Sequence, residues 1–83
     1  MMSVINKLKQ SNLTISFAES CTGGKLASSL VTHEGISDIF LGGVVAYSKK
    51  SKIDKKIINK FGLVSKEIAK HMAISGKKMY KSD

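Results

Sequence analysis

From Leu13 to Ala18 the chain alternates apolar and polar residues, the two-residue period of a strand with a distinct face on each side of a sheet. Before it, Val4, Ile5 and Leu8 fall at helical spacing, and Ser11-Asn12 supplies a stop, so a short first helix is predicted. After it, Leu26, Ala27, Leu30 and Val31 recur with the period of a helix over 24–33, and Gly35 stands where a left-handed C-terminal cap belongs. Ser37 to Phe40 reads as a short helical turn. Val44-Val45-Ala46-Tyr47, preceded by Gly42-Gly43, is a continuous apolar run suited to a buried strand. Ile53, Ile57, Ile58 and Phe61 predict a further helix closed by Gly62. Ser65 is a candidate cap for the last one, whose apolar stripe is Ile68, Met72, Gly76 and Met79.

The order is α-β-α-β-α-α, with a helix crossing over between the two strands. That arrangement predicts parallel strands and an α/β layered fold. Two strands make a small sheet with unpaired edges, so the sheet is expected to be incomplete and the isolated chain partly molten, dimeric or aggregation-prone. There is no proline, internal repeat or low-complexity stretch to divide the 83 residues, which read as a single domain.

Composition narrows the setting. Cys21 is the single cysteine, which excludes an intramolecular disulfide and a cysteine-rich zinc site and suits a reducing, cytoplasmic environment. No apolar run reaches the ~18 residues of a membrane span. The net charge of +8 is unevenly placed: residues 1–42 balance three lysines against Glu19, Glu34 and Asp38, whereas residues 43–83 hold eleven lysines against Asp54, Glu67 and Asp83. Such asymmetry is one mark of a nucleic-acid binder. Every basic residue is nevertheless lysine, without the arginines suited to bidentate phosphate and guanine contacts, and aromatics are few. The lysines read as solvated helix faces, and nucleic acid is not the expected partner.

The candidate chemistry lies in "AESCTGG", Ala18 to Gly24, between the first strand and the following helix. A hydroxyl at such a turn sits near free backbone N–H groups that stabilise a developing anion. Ser20 also suits a cap of the helix, and Thr22 is the more natural one by position. Cys21 has no flanking histidine and reads as a small apolar side chain rather than a nucleophile. His33, near a helix end, and His71, in a polar-faced helix, read as surface or cap residues rather than bases.

Three ordered blocks carry a resemblance: "AESCTGG" at 18–24, "GGVVAYSKKSK" at 42–52 and "GLVSKEIAKHMA" at 62–73. Together they resemble the CinA C-terminal domain, also called the nicotinamide-nucleotide amidase family, from about Leu13 onward. The resemblance implies a three-layer α/β/α sandwich and metal-free hydrolysis of the carboxamide of nicotinamide mononucleotide to nicotinic acid mononucleotide and ammonia. It implies no cofactor. It makes Ser20 the nucleophile, Lys52 its base and Tyr47 a hydroxyl partner.

Physical reasons accompany each role. A serine needs a base to take its proton, and a lysine serves if burial leaves it neutral. Lys52 follows the second strand, and parallel strands would bring its end beside that of the first, the edge where open α/β sheets bind ligands. The plainer reading makes Lys52 one more solvated lysine beside Lys49, Lys50, Lys55 and Lys56. Tyr47 equally suits a core position with its hydroxyl at the rim. Around the nucleophile, Gly23 and Gly24 let backbone amides approach an oxyanion or phosphate. Thr22 either caps the helix or touches phosphate, and Glu19 either orients the turn or accepts from a ribose.

Family domains continue past this point with more strands and a glycine-rich loop that line the pocket. The chain stops at Lys81-Ser82-Asp83, where the next strand is expected, so it corresponds to about the N-terminal half of the domain. Two function classes follow. One is an amide hydrolase working as a homo-oligomer or with a complementing polypeptide; the other is an inactive remnant or interaction fragment.

Overall fold

A computed structural model describes residues 2–47, 55–62 and 64–83. The elements run α1 (Met2–Ser11), β1 (Ile15–Glu19), α2 (Lys25–Val31), β2 (Phe40–Val45), α3 (Lys55–Phe61) and α4 (Lys66–Tyr80). The two strands pair in parallel, Ile15 opposite Phe40 and then Ser16 to Glu19 opposite Gly42 to Val45, with an irregularity between Ile15 and Ser16. The parallel α/β arrangement predicted from the crossover is therefore present.

Alternation along β1 sends its side chains to two separate cores. Ile15 and Phe17 pack with Phe40 and Leu8 against a cluster of Ile5, Leu30, Ile36 and Ile39, which joins α1, α2 and the turn before β2. The Phe17 and Phe40 rings meet at 5.3 Å in a tilted pair. Ala18 faces the other way and joins Ala46, Ile58, Ile68 and Met72, the core shared by α3 and α4. The chain thus forms helix, sheet and helix layers around a short sheet.

Local signals explain the element ends. Asn12 adopts φ 56°, and Leu13 N–H donates to the Leu8 carbonyl at 3.0 Å, closing α1 with a left-handed cap. Ser37 to Ile39 form the anticipated turn, with Phe40 N–H donating to the Ile36 carbonyl at 2.8 Å. Ser65 caps α4 by accepting from Ile68 N–H at 3.2 Å. Ser65→Ala should therefore cost about 1 kcal/mol of stability, measurable by urea unfolding. An unchanged midpoint would mean that the cap contributes nothing.

Several boundaries differ from the sequence reading. The α2 helix ends at Val31 with Thr32 in a right-handed cap, and Gly35, at φ 69°, serves the turn beyond it rather than the helix end. Gly42 and Gly43 lie inside β2, not before it. A Cβ on Gly42, where φ is 144°, would fall 2.6 Å from the Tyr80 ring, and one on Gly43 would fall 3.0 Å from the Phe17 carbonyl. These glycines admit neighbours rather than turn the chain. In α4, Ile68, Met72 and Gly76 are buried as the stripe predicts, whereas Met79 is exposed. Ile53 lies outside the described residues.

Past α4 the chain folds back onto β1. Lys81 adopts the left-handed conformation, and Ser82, itself buried, brings its hydroxyl within 2.7 Å of that of Ser16. The Asp83 carboxylate accepts from Thr14 N–H at 2.9 Å and from the Thr14 hydroxyl at 3.0 Å. The Thr14 N–H, then its hydroxyl, hold the Asp83 carboxyl below its ordinary value, with Lys77 adding a smaller effect and desolvation opposing. A carboxyl lowered in the folded state stabilises above its unfolded pKa, and that contribution is lost as pH falls through the folded value. On acidification the Thr14 amide resonance should therefore move with a midpoint below that of a free aspartate. A midpoint at the free value would show the contact to be absent in solution.

Candidate active site

The turn 20–24 follows β1 at the carboxyl edge of the sheet. Gly23 N–H donates to the Ser20 carbonyl at 3.0 Å, and Gly23 and Gly24 take φ 66° and 104°, values that favour glycine. The chain can therefore reverse sharply into α2. The helix begins with Gly24 as its cap residue and has no side-chain bond from that position.

Glu19 supplies the cap instead. Its carboxylate accepts from Leu26 N–H at 2.7 Å through one oxygen and from Ala27 N–H at 3.0 Å through the other. The Thr22 hydroxyl adds a third bond at 3.3 Å. Glu19 is buried at 8% exposure, so these bonds replace the water that an ionised carboxylate would otherwise hold. An anion at a helix N-terminus also opposes the partial positive charge of the exposed peptide N–H groups. Of the two uses left open for Glu19, the geometry displays the first, orientation of the turn. Ser20 and Thr22, both candidate caps, accept from no α2 amide among the described residues.

With the cap provided by Glu19, Ser20 is left half-buried with a hydroxyl that has no hydrogen-bond partner among the described residues. It lines an open groove of approximately 490 Å³ together with Cys21, Thr22, Lys25, Leu26 and Ser29. The Gly23 amide is engaged within the turn, whereas the amides of Gly24 and Lys25 have no partner among the described residues. Cys21 is exposed rather than a buried apolar filler.

The second strand ends at the same edge. Ala46 N–H donates to the Glu19 carbonyl at 2.7 Å, extending the pairing to the last residue before Ser20. Tyr47 comes next and is 68% exposed, so it is a rim residue rather than part of the core. Lys52 lies outside the described residues. Of the sequence-derived set, Ser20, Thr22, Gly23 and Gly24 thus share one turn, Glu19 ends the strand that leads into it, and Tyr47 leaves the adjoining strand end.

Neither histidine enters this turn. His33 bonds at the end of α2, with Nδ1 at 3.3 Å from the Leu30 carbonyl, as a cap residue would. His71 is half-buried rather than on the surface, and its Nε2 has no partner among the described residues. No group of three or more metal-ligating side chains occurs among the described residues, nor is any of their helices long and apolar enough to cross a membrane.

An open parallel α/β layer with a hydroxyl-bearing groove at its carboxyl edge defines the class of protein. The chain belongs to the CinA C-terminal domain family, whose sequence model matches residues 1–83. It is 46% identical over 85 residues to a CinA-like protein of Fervidobacterium nodosum, covering 96% of this chain and 21% of that protein. A CinA-like protein of Petrotoga mobilis is 45% identical over 87 residues, covering 99% and 22%. Among solved structures, the competence-damaged protein (CinA) superfamily protein of Escherichia coli aligns with a TM-score of 0.93 at 28% identity, over 98% of this chain and 50% of that one. The competence or damage-inducible protein of Enterobacter asburiae gives 0.91 at 29% identity, over 96% and 54%. The chain thus spans about a fifth of the curated relatives it matches and about half of the solved ones.

Proposed function

We propose that this chain carries the nucleophile-bearing part of an amide hydrolase that converts the carboxamide of a pyridine mononucleotide to its acid and ammonia. One observation carries the reading: with α2 capped by Glu19, Ser20 lines the groove with a hydroxyl that has no hydrogen-bond partner among the described residues. In the proposed reaction Ser20 Oγ attacks the carboxamide carbon while neutral Lys52 takes its proton. The amides of Gly24 and Lys25, without a partner among the described residues, take the task of holding the oxyanion. Tyr47 or the protonated Lys52 delivers a proton to departing ammonia, and water then cleaves the acyl-enzyme by the same route. No metal or cofactor is required by this scheme.

The activity belongs to a completed domain, since the matched solved structures extend over about twice this chain. The test supplies the remainder from the Fervidobacterium nodosum relative, as a fusion or a co-expressed fragment, and measures ammonia released from nicotinamide mononucleotide. Release that depends on Ser20 supports the proposal. A folded, completed domain that binds the nucleotide without releasing ammonia would overturn it and favour a non-catalytic interaction fragment.

A further inference from the structure

The outer edge of β2 lacks the usual safeguards of an exposed strand. Ala46 N–H donates to the Glu19 carbonyl at 2.7 Å, so Ala46 turns its N–H toward β1. Alternate residues of a strand present their main-chain groups to opposite sides, and Gly43 and Val45 therefore present theirs outward. Such edges are commonly blunted by lysine, another charge or proline. Phe40 to Tyr47 reads "FLGGVVAY" and holds none of these, although the chain is rich in lysine elsewhere. Leu41 and Val45 are also exposed. An uncharged strand with apolar side chains in the open is prone to pair with another.

One side chain intervenes. Tyr80, the last residue of α4, lays its ring across β2 at Gly42, where a Cβ would fall 2.6 Å from the ring. Its hydroxyl donates to the Gly43 carbonyl at 2.9 Å and so occupies an outward-facing acceptor. The backbone that carries Tyr80 is tied down on both sides. Before it, Gly76 of α4 lies against Ala18 of β1. After it, the Ser82 hydroxyl sits 2.7 Å from that of Ser16, and the Asp83 carboxylate accepts from Thr14 N–H.

We infer that Tyr80 is a guard built into the fold, which closes the outer edge of β2 to a second copy of this chain. The partner it excludes is a second copy because the edge is complementary to itself. A two-fold axis at Val44 sets Gly43 of one strand opposite Val45 of the other in antiparallel order, each pair exchanging two N–H···O=C bonds. The Gly43 carbonyl is one of the acceptors this pairing needs. Pairing therefore breaks the phenol bond in both copies, and the single copy keeps it.

The inference concerns the sheet edge and does not depend on the chemistry at Ser20. The isotope-labelled full chain is followed by amide exchange and sedimentation over a range of concentrations. In the wild type, exchange at Gly43 and Val45 should not depend on concentration. Tyr80→Phe keeps the ring over Gly42 and removes only the bond to Gly43. It should strengthen self-association by about tenfold, with the Gly43 and Val45 amides exchanging more slowly as concentration rises. Tyr80→Ala, which also uncovers Gly42, should associate more tightly still; should it fail to fold, Tyr80→Phe carries the test. Adding Val45→Lys to either variant places a charge at an exposed position of the edge and should abolish the association. Because that lysine restores nothing at position 80, its effect separates edge pairing from loss of structure. Concentration-independent exchange at Gly43 and Val45 in Tyr80→Phe, protection confined to Ser16 and Ala18, or association that survives Val45→Lys would each overturn the inference.

Discussion

In the completed domain, Ser20→Ala is expected to lower the rate of ammonia release by a factor on the order of 10⁴–10⁶, the range seen when a nucleophile is removed. Lys52→Ala should have an effect of the same order. The reason is shared: an alcohol is a weak nucleophile until its proton has somewhere to go, and neither histidine of this chain lies in the turn to take it. The double variant should be hardly worse than either single one, since the two groups act in one proton transfer. Cys21→Ala should retain most of the activity, because a sulfur in the next side chain stands outside that transfer. Activity is followed by coupled ammonia detection, with circular dichroism to confirm that each variant is folded. A Ser20→Ala domain with undiminished turnover would end the serine reading.

The second large effect is expected at Glu19. Glu19→Ala removes two carboxylate bonds to the Leu26 and Ala27 amides and leaves those part-buried donors without this partner. A loss of about 2–3 kcal/mol follows from hydrogen bonds to a charged group. In a domain this small it should appear as a large fall in the thermal midpoint. Glu19→Gln keeps one acceptor oxygen and should cost less. It also places an amide N–H against a backbone N–H, so it should not restore the wild-type value. Activity should fall with stability in both variants, since the same carboxylate holds the turn that carries Ser20. A Glu19→Ala domain with an unchanged midpoint would refute the capping role.

Local pattern carried much of this architecture. The alternation from Leu13 to Ala18 located β1, and the apolar spacing of Ile68, Met72 and Gly76 fixed the buried face of α4. The crossover length sufficed to make the strands parallel. What depended on distant neighbours was not visible. Gly42 and Gly43 carry a signal shared by turns and close contacts, and only the arrival of Tyr80 and Phe17 distinguishes the two. Glu19 was legible as a polar residue at a strand end, but its partners lie seven and eight residues on, and their approach depends on how Gly23 and Gly24 bend the turn. A carboxylate one residue before Ser20 and a cap-less glycine start would have been the signal to seek. Met79 kept the helical period yet lies exposed near the helix end. The turn at Ser20 was legible as a glycine-bearing reversal between strand and helix, whereas Lys52 lies outside the described residues.

The bond between Thr14 and Asp83 joins positions 69 apart in the chain. Closing so long a loop is entropically costly before other contacts have shortened the path. Here the shortening comes from β1 meeting β2 and from α4 settling on Ala18 through Gly76. The contact is therefore expected to form late in folding, after the layers have assembled rather than guiding their assembly. Substitutions at Asp83 should accordingly speed unfolding while leaving the folding rate nearly unchanged.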